Sequence, residues 1–250
     1  MSIWLNCPYP RSQARLRLLC FAYAGGSAMV FRNWTPSLPP SVEVYAVELP
    51  GRGKRIMEPP FTQLDPLVQT LAQELAPHLH KPFMCFGHSL GGLIAFELSR
   101  LLHQNYQLKP THLWVSATRA PHLRAPTPPI HALPDADFIA ELRRYNGTPI
   151  TVLNNAELMA LMLPTLRADF SVLETYHSQS ENPTEFPITA FWGEQDAIVS
   201  QDEVAAWQAY TTTTFSLQPL PGDHFFVHQP LLLQRLSLQL SLVLGVEPRY

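Results

Sequence analysis

Apolar positions along this chain alternate between two kinds of pattern. Short runs rich in β-branched and aromatic residues predict strands over residues 17–23, 42–49, 83–87, 112–117, 188–193 and 214–220. Between them, apolar residues recur at helical spacing. Leu67, Leu71, Leu75 and Leu79 make one stripe on a helix over 65–78, and Leu90, Ile94, Leu98, Leu101 and Leu102 make another over 90–103. A shorter helix is expected over 201–210. The final segment, 230–244, carries two patterns at once, because Leu236, Leu238, Leu240 and Leu242 alternate with Ser and Gln as a strand would. Its length of about fifteen residues favours a helix. Strand–helix alternation of this kind predicts an α/β fold with a mostly parallel sheet and helices on both faces.

Residues 118–187 break that rhythm. They begin with a Pro-rich stretch from Pro121 to Pro134 and continue into helical patterns over 135–145 and 155–176. Asn146-Gly147 makes a turn between the two, and Pro164 interrupts the second. No strand pattern is present there. The expected organisation is a core of 1–117 and 188–250 with a helical lid insertion, 118–187, over one edge of the sheet.

Composition narrows the function classes. With 46% apolar and 15% charged residues, the 250-residue chain can bury a large core and does not look disordered. Its formal net charge of −3 argues against a nucleic-acid binder, which needs a basic field. Proline is abundant, 25 residues, and implies many stiff loops. Cys7, Cys20 and Cys85 are too few and too scattered for a disulfide framework, and no CxxC pair suggests a zinc site. No uncharged apolar stretch is long enough to span a bilayer. The segment from Arg15 to Ala24 imitates a secretion signal, but its apolar part is short and it reads better as a buried strand running into a Gly-Gly loop. The expectation is a soluble, cytoplasmic protein.

The strongest chemical signal is Gly87-His88-Ser89-Leu90-Gly91, followed by Gly92, between an apolar strand and a helix. Strand, sharp turn and helix form the context of a nucleophile elbow. Gly87 and Gly91 lack the β-carbons that would collide with backbone across such a turn. Ser89 is then the candidate nucleophile at a helix N-terminus, where the dipole favours developing negative charge. A serine needs a base, and the base needs an orienting carboxylate. In this arrangement the chain order is Ser, acid, His. His224, in the loop after the last expected strand, is the candidate base, with His228 in reserve. His88 is too near Ser89 in the chain to reach its hydroxyl and is expected to pack beneath it; the other histidines are expected at the surface. Asp196, after the strand 188–193, is the candidate acid, with Glu194 as its rival; Asp223 points elsewhere. For the oxyanion, the backbone N–H of Leu90 is one candidate donor. The other is expected from Tyr23-Ala24-Gly25-Gly26-Ser27-Ala28, as the N–H of Ala24 or of Gly25. No GxGxxG, Walker A or HExxH pattern is present, so nucleotide and zinc-protease readings lack a basis, and neither cofactor nor metal is expected. Pro50-Gly51-Arg52-Gly53-Lys54-Arg55 reads as a basic surface turn.

Taken together, Ala22–Ala28, Leu49–Arg55, Gly87–Gly92, Gly193-Glu194-Gln195-Asp196 and Gly222-Asp223-His224-Phe225-Phe226 resemble the type II, or external, thioesterases of non-ribosomal peptide and polyketide synthase systems. Leu133–Phe138, Tyr145–Pro149 and Leu166-Arg167-Ala168-Asp169-Phe170 resemble the lid of that family, so the likeness covers nearly the whole chain. Tyr23 departs from it: many relatives have histidine before Ala-Gly-Gly. The resemblance implies an α/β-hydrolase that cleaves acyl groups from the phosphopantetheine arm of acyl or peptidyl carrier proteins, clearing misprimed or stalled chains. Because such carriers tend to be acidic, a local basic patch is expected, with Arg119, Arg124, Arg143, Arg144, Arg52, Lys54 and Arg55 as its candidates. A general carboxylester hydrolase, an acyltransferase and a non-catalytic acyl-binding protein are the competing readings.

Overall fold

The computed structural model describes residues 2–178 and 182–246. Its strands are β1 (Leu5–Asn6), β2 (Leu16–Phe21), β3 (Val42–Val47), β4 (Phe83–His88), β5 (Leu113–Ser116), β6 (Ile188–Gly193) and β7 (Phe215–Leu220). They form one sheet in the order β1-β3-β2-β4-β5-β6-β7. Every pairing is parallel except that of β1 with β3 at the edge. Six strands lie where the sequence predicts them. β1 is the addition, and two residues are too few to carry any periodicity.

Parallel pairing requires crossovers, and helices supply them on both faces. The α-helices are α1 (Trp34–Ser37), α2 (Leu64–Leu75), α3 (Leu90–Tyr106), α4 (Asp135–Tyr145), α5 (Ile150–Leu153), α6 (Ala156–Thr175), α7 (Gln201–Ala205) and α8 (Pro230–Leu244). Alternate residues of each strand serve opposite faces. Leu19, Phe21, Cys85 and Val115 join one core with α2 and α3, whereas Leu18, Cys20, Met84 and Trp114 join another with α1 and α8. The double pattern of residues 230–244 resolves into a helix because Leu232, Leu236 and Leu240 all point at that second core. A third cluster, containing Phe138, Leu142, Leu153, Leu166 and Phe170, lies within the helical segment between β5 and β6.

Pro164 sits inside α6 without ending it. All three cysteines are free and buried. Burial pushes the Cys7 thiol up to about 11 and that of Cys85 to about 12, and raises that of Cys20 well above its ordinary value. Among the described residues no helix is long and apolar enough to cross a membrane.

Candidate active site

The turn between β4 and α3 is held in a conformation that few side chains adopt. Ser89 has φ 54° and ψ −121°, a strained region for any residue with a β-carbon. Neighbouring glycines make room for it. A β-carbon on Gly87 would strike the carbonyl of Gly91, and one on Gly91 would strike that of Phe21 at the end of β2. The first turn of α3 therefore lies directly against the β2 loop, the segment expected to supply an oxyanion donor.

His224 follows β7, and Asp196 follows β6. Their side chains meet Ser89 in one chain of hydrogen bonds: Ser89 Oγ lies 3.1 Å from His224 Nε2, and His224 Nδ1 lies 2.8 Å from Asp196 Oδ2. The Asp196 side chain is fully buried, and its other oxygen accepts from the N–H groups of Ile198 at 2.8 Å and Val199 at 3.0 Å. A carboxylate fixed on both oxygens sets the tautomer and orientation of the imidazole. The rivals lie elsewhere. Glu194 is exposed, Asp223 accepts from the N–H of Phe225, and His228 Nε2 lies 3.0 Å from the Tyr23 hydroxyl.

His88 is completely buried beneath the site, as expected. Its Nε2 is 2.8 Å from the carbonyl of His224, and its Nδ1 is 2.8 Å from Ser116 Oγ. A carbonyl can only accept, so Nε2 carries the proton and Nδ1 accepts from the serine. Burial, reinforced by neighbouring His224, keeps this imidazole well below the usual histidine range and neutral. The expectation that the remaining histidines are solvated fails for His112 and His131. His112 is half-buried against Thr189 Oγ1 at 2.8 Å, and His131 Nδ1 contacts Glu174 Oε2 at 2.6 Å.

Ala24 and Ser89 face a common cavity of about 720 Å³ that extends under α4 and α6. A second cavity of about 470 Å³ adjoins it, and both are walled by Tyr23, Ala24, Gly147 and Leu166. The Tyr23 carbonyl accepts from the N–H of Gly26 at 2.8 Å. In a trans peptide the C=O and N–H point in opposite directions, so the Ala24 N–H is turned away from that contact. Among the described residues neither the Ala24 nor the Leu90 N–H has a backbone acceptor. The Gly25 N–H does have a partner: it donates to Asp169 Oδ2 at 2.7 Å. Of the two donors considered for the β2 loop, Ala24 is the one left open.

The basic turn after β3 is not a surface turn. Arg52 and Arg55 are each 6% exposed. Arg52 grips Asp169 of α6 with two nitrogens, at 2.8 and 2.7 Å, while Arg55 pairs with Glu58 and lies over the Trp4 ring. Both leave the set of docking candidates, as does Arg119, which is paired with Glu203 at 3.0 Å. Sequence reasoning missed the Arg52–Asp169 pair because its members are 117 residues apart. The signal was available on α6: Asp169 shares an apolar stripe with Leu166 and Leu173, and a carboxylate there must find a cation.

Comparison with known proteins agrees with this architecture. The thioesterase domain family matches residues 16–238. Gramicidin S biosynthesis protein GrsT of Aneurinibacillus migulanus is 44% identical over 244 residues, covering 97% of this chain and 95% of the relative. The RedJ thioesterase from the prodiginine pathway of Streptomyces coelicolor superposes with a TM-score of 0.85 at 37% identity, covering 92% of this chain and 87% of that one. The type II thioesterase BorB from the borrelidin biosynthetic cluster gives 0.86 at 33% identity, covering 95% and 97%. With the family matching nearly all of the sheet and its crossovers, the chain belongs to the thioesterases, hydrolases of thioesters built on the α/β-hydrolase fold.

Proposed function

We propose that this protein is an editing enzyme that removes acyl groups from the phosphopantetheine arm of acyl or peptidyl carrier proteins, with Ser89 as nucleophile. The observation that carries this reading is the hydrogen-bonded chain Ser89–His224–Asp196 opening onto the 720 Å³ cavity. His224 Nε2 takes the hydroxyl proton as Ser89 Oγ adds to the thioester carbonyl. The N–H groups of Leu90 and Ala24 receive the oxyanion of the tetrahedral adduct. Collapse breaks the C–S bond, and the pantetheine sulfur leaves as a thiol with the proton from His224. A thiolate leaves far more readily than an amide nitrogen, so the acid is asked for little. Water, deprotonated by His224, then attacks the acyl-serine, and the second tetrahedral adduct collapses to the carboxylic acid and free Ser89. Each step uses only groups of this chain and one water; the phosphopantetheine arrives with the substrate.

On this reading the acyl group occupies the larger cavity and the pantetheine arm approaches through the smaller one, whose mouth carries the exposed Arg32. Residues 118–187 act as the lid, and 1–117 with 188–250 as the core. The names of relatives from peptide and polyketide pathways support carrier-borne substrates, and the lack of any membrane-crossing helix among the described residues fits a cytoplasmic enzyme.

The test is covalent labelling by a fluorophosphonate together with thiol release from an acyl carrier protein. The parent should label and release thiol without an added acceptor alcohol or amine. Ser89→Ala should do neither while remaining folded, and Asp196→Asn should lose about 10⁴-fold in kcat. Labelling of Ser89→Ala at another serine would overturn the assignment, and a requirement for an acceptor would make the enzyme an acyltransferase.

A further inference from the structure

The helix that roofs the cavity also holds the backbone of the oxyanion loop. Asp169 lies on α6 and is 3% exposed. Its Oδ2 accepts the Gly25 N–H at 2.7 Å, and both of its oxygens accept from Arg52. Arg52 Nη1 also donates to the Gly26 carbonyl at 3.1 Å, and its Nε to Pro50 at 3.3 Å. The loop is thus clamped at two successive residues, by a carboxylate on the Gly25 N–H and by a guanidinium on the Gly26 C=O. One helical turn before Asp169, Leu166 closes over Gly25, where a β-carbon would come within 2.6 Å of its Cδ2. Gly25 has φ +76°, so no other residue adopts this bend without strain while fitting under that leucine.

We infer that Asp169 is a positioning residue for catalysis: through Gly25 and Arg52 it fixes the peptide that presents the Ala24 N–H to the developing oxyanion. Asp169 touches no substrate atom. Its effect passes through the loop, one peptide from the proposed donor. Preorganised donors act in the transition state far more than in the ground state, so a loosened loop lowers kcat and spares KM. Three other contacts separate this role from general bracing of α6. Thr165, Ser171 and Tyr176 also tie α6 to the core, through Gly51, Thr62 and Glu97, without touching residues 23–26. Among the described residues of α6, Asp169 is the one whose charged group reaches the loop.

The inference rests on the proposed oxyanion role of Ala24 and is tested by Asp169→Asn, which keeps shape but removes the charge and turns an N–H₂ toward Gly25 or Arg52. Steady-state kinetics on an acyl-CoA should give a ten- to hundredfold lower kcat with KM within threefold. Affinity for a trifluoromethyl ketone analogue, which forms a tetrahedral adduct on serine, should fall by the same factor. Affinity for the matching non-hydrolysable thioether should not change. Ser171→Ala, which frees α6 from Thr62 at a position outside the cavity wall and the loop, should lower thermal stability slightly and leave kcat within twofold. A kcat within threefold of the parent in folded Asp169→Asn would overturn the inference, as would an equal kcat loss in Ser171→Ala. Should Asp169→Asn not fold, Arg52→Lys gives the same reading: it keeps the charge but loses the fork, and about tenfold in kcat is expected, with less than threefold overturning the inference. Fluorophosphonate labelling of Ser89 in each variant separates the two levels. Labelled protein with unchanged kcat defeats only the role of Asp169, whereas labelling at a different serine defeats the proposed mechanism itself.

Discussion

Beneath Ser89, the neutral imidazole of His88 holds the backbone carbonyl of the very residue proposed as base. Such a histidine makes folding sensitive to acid. Its proton affinity, like that of His112 at about 4, is lower in the folded protein than the ordinary 6.5. Between those values the unfolded chain binds more protons, so stability rises with pH there and is fully present above about 6.5. As pH falls below that, each of the two histidines withdraws about 1.4 kcal/mol per pH unit until its folded value is reached. Chemical denaturation at pH 7 and pH 5 should therefore show a marked loss, and His112→Gln should shrink that loss by about 2 kcal/mol. An unchanged difference in the variant would mean that His112 is protonated in the folded state at pH 5. At this scale the meeting of the candidate site residues was legible in the sequence wherever spacing carried it. Ser89, Asp196 and His224 each follow a strand, so a parallel sheet brings all three to one edge. Asp169 was not legible as a loop clamp, since nothing local to it names Gly25 or Arg52.

The helices between β5 and β6 are tied to the core unequally. α6 is bolted to the core by the buried Asp169–Arg52 pair, by Thr165 and Ser171, and by the Tyr176 hydroxyl, 2.6 Å from Glu97. The segment before α4 is bound to α6 in turn, through Glu174 to the N–H groups of Ile130 and His131. The end of α4 and α5 pack on Leu166 and Phe170 of α6 through Leu142, Tyr145 and Leu153, and their further ties are the exposed Arg143–Asn154 contact and Gly147 resting on the Phe225 ring beside His224. Hydrogen exchange should divide the segment accordingly. Amides of residues 166–175 should be protected like those of β4, and amides over 140–153 should exchange faster. Uniform protection across both would count against this division of the segment, and fast exchange throughout would contradict the anchoring of α6. The sequence indicated the insertion and both of its long helices, because each carries an apolar stripe. It did not indicate α5, four residues behind Pro149, or β1, since neither is long enough for a repeat. Nor could it divide fixed from movable, which depends on contacts with distant loops.

For the whole molecule, a net charge of −3 offers no steering toward an acidic carrier, so the proposed function requires recognition by local charge. With Arg52, Arg55 and Arg119 engaged internally, the exposed candidates that remain are Lys54, Arg124, Arg143 and Arg144. Turnover of an acyl carrier protein should then exceed that of the matching acyl-CoA in kcat/KM, by a margin that shrinks with added salt. Reversing Arg143 and Arg144 to Glu should lower the carrier rate and spare a small activated ester. Equal, salt-indifferent turnover of all three substrates would favour a general esterase. These experiments have an unusually clear readout, owing to the three buried cysteines. The proposed reaction liberates a pantetheine thiol, whereas the enzyme's own sulfur atoms are sealed inside the sheet's cores and held protonated at neutral pH. An aromatic disulfide reagent added to the native enzyme will therefore register released arms alone. For the same reason an arm liberated as proposed would find, even under oxidising conditions, no accessible cysteine with which to form a mixed disulfide.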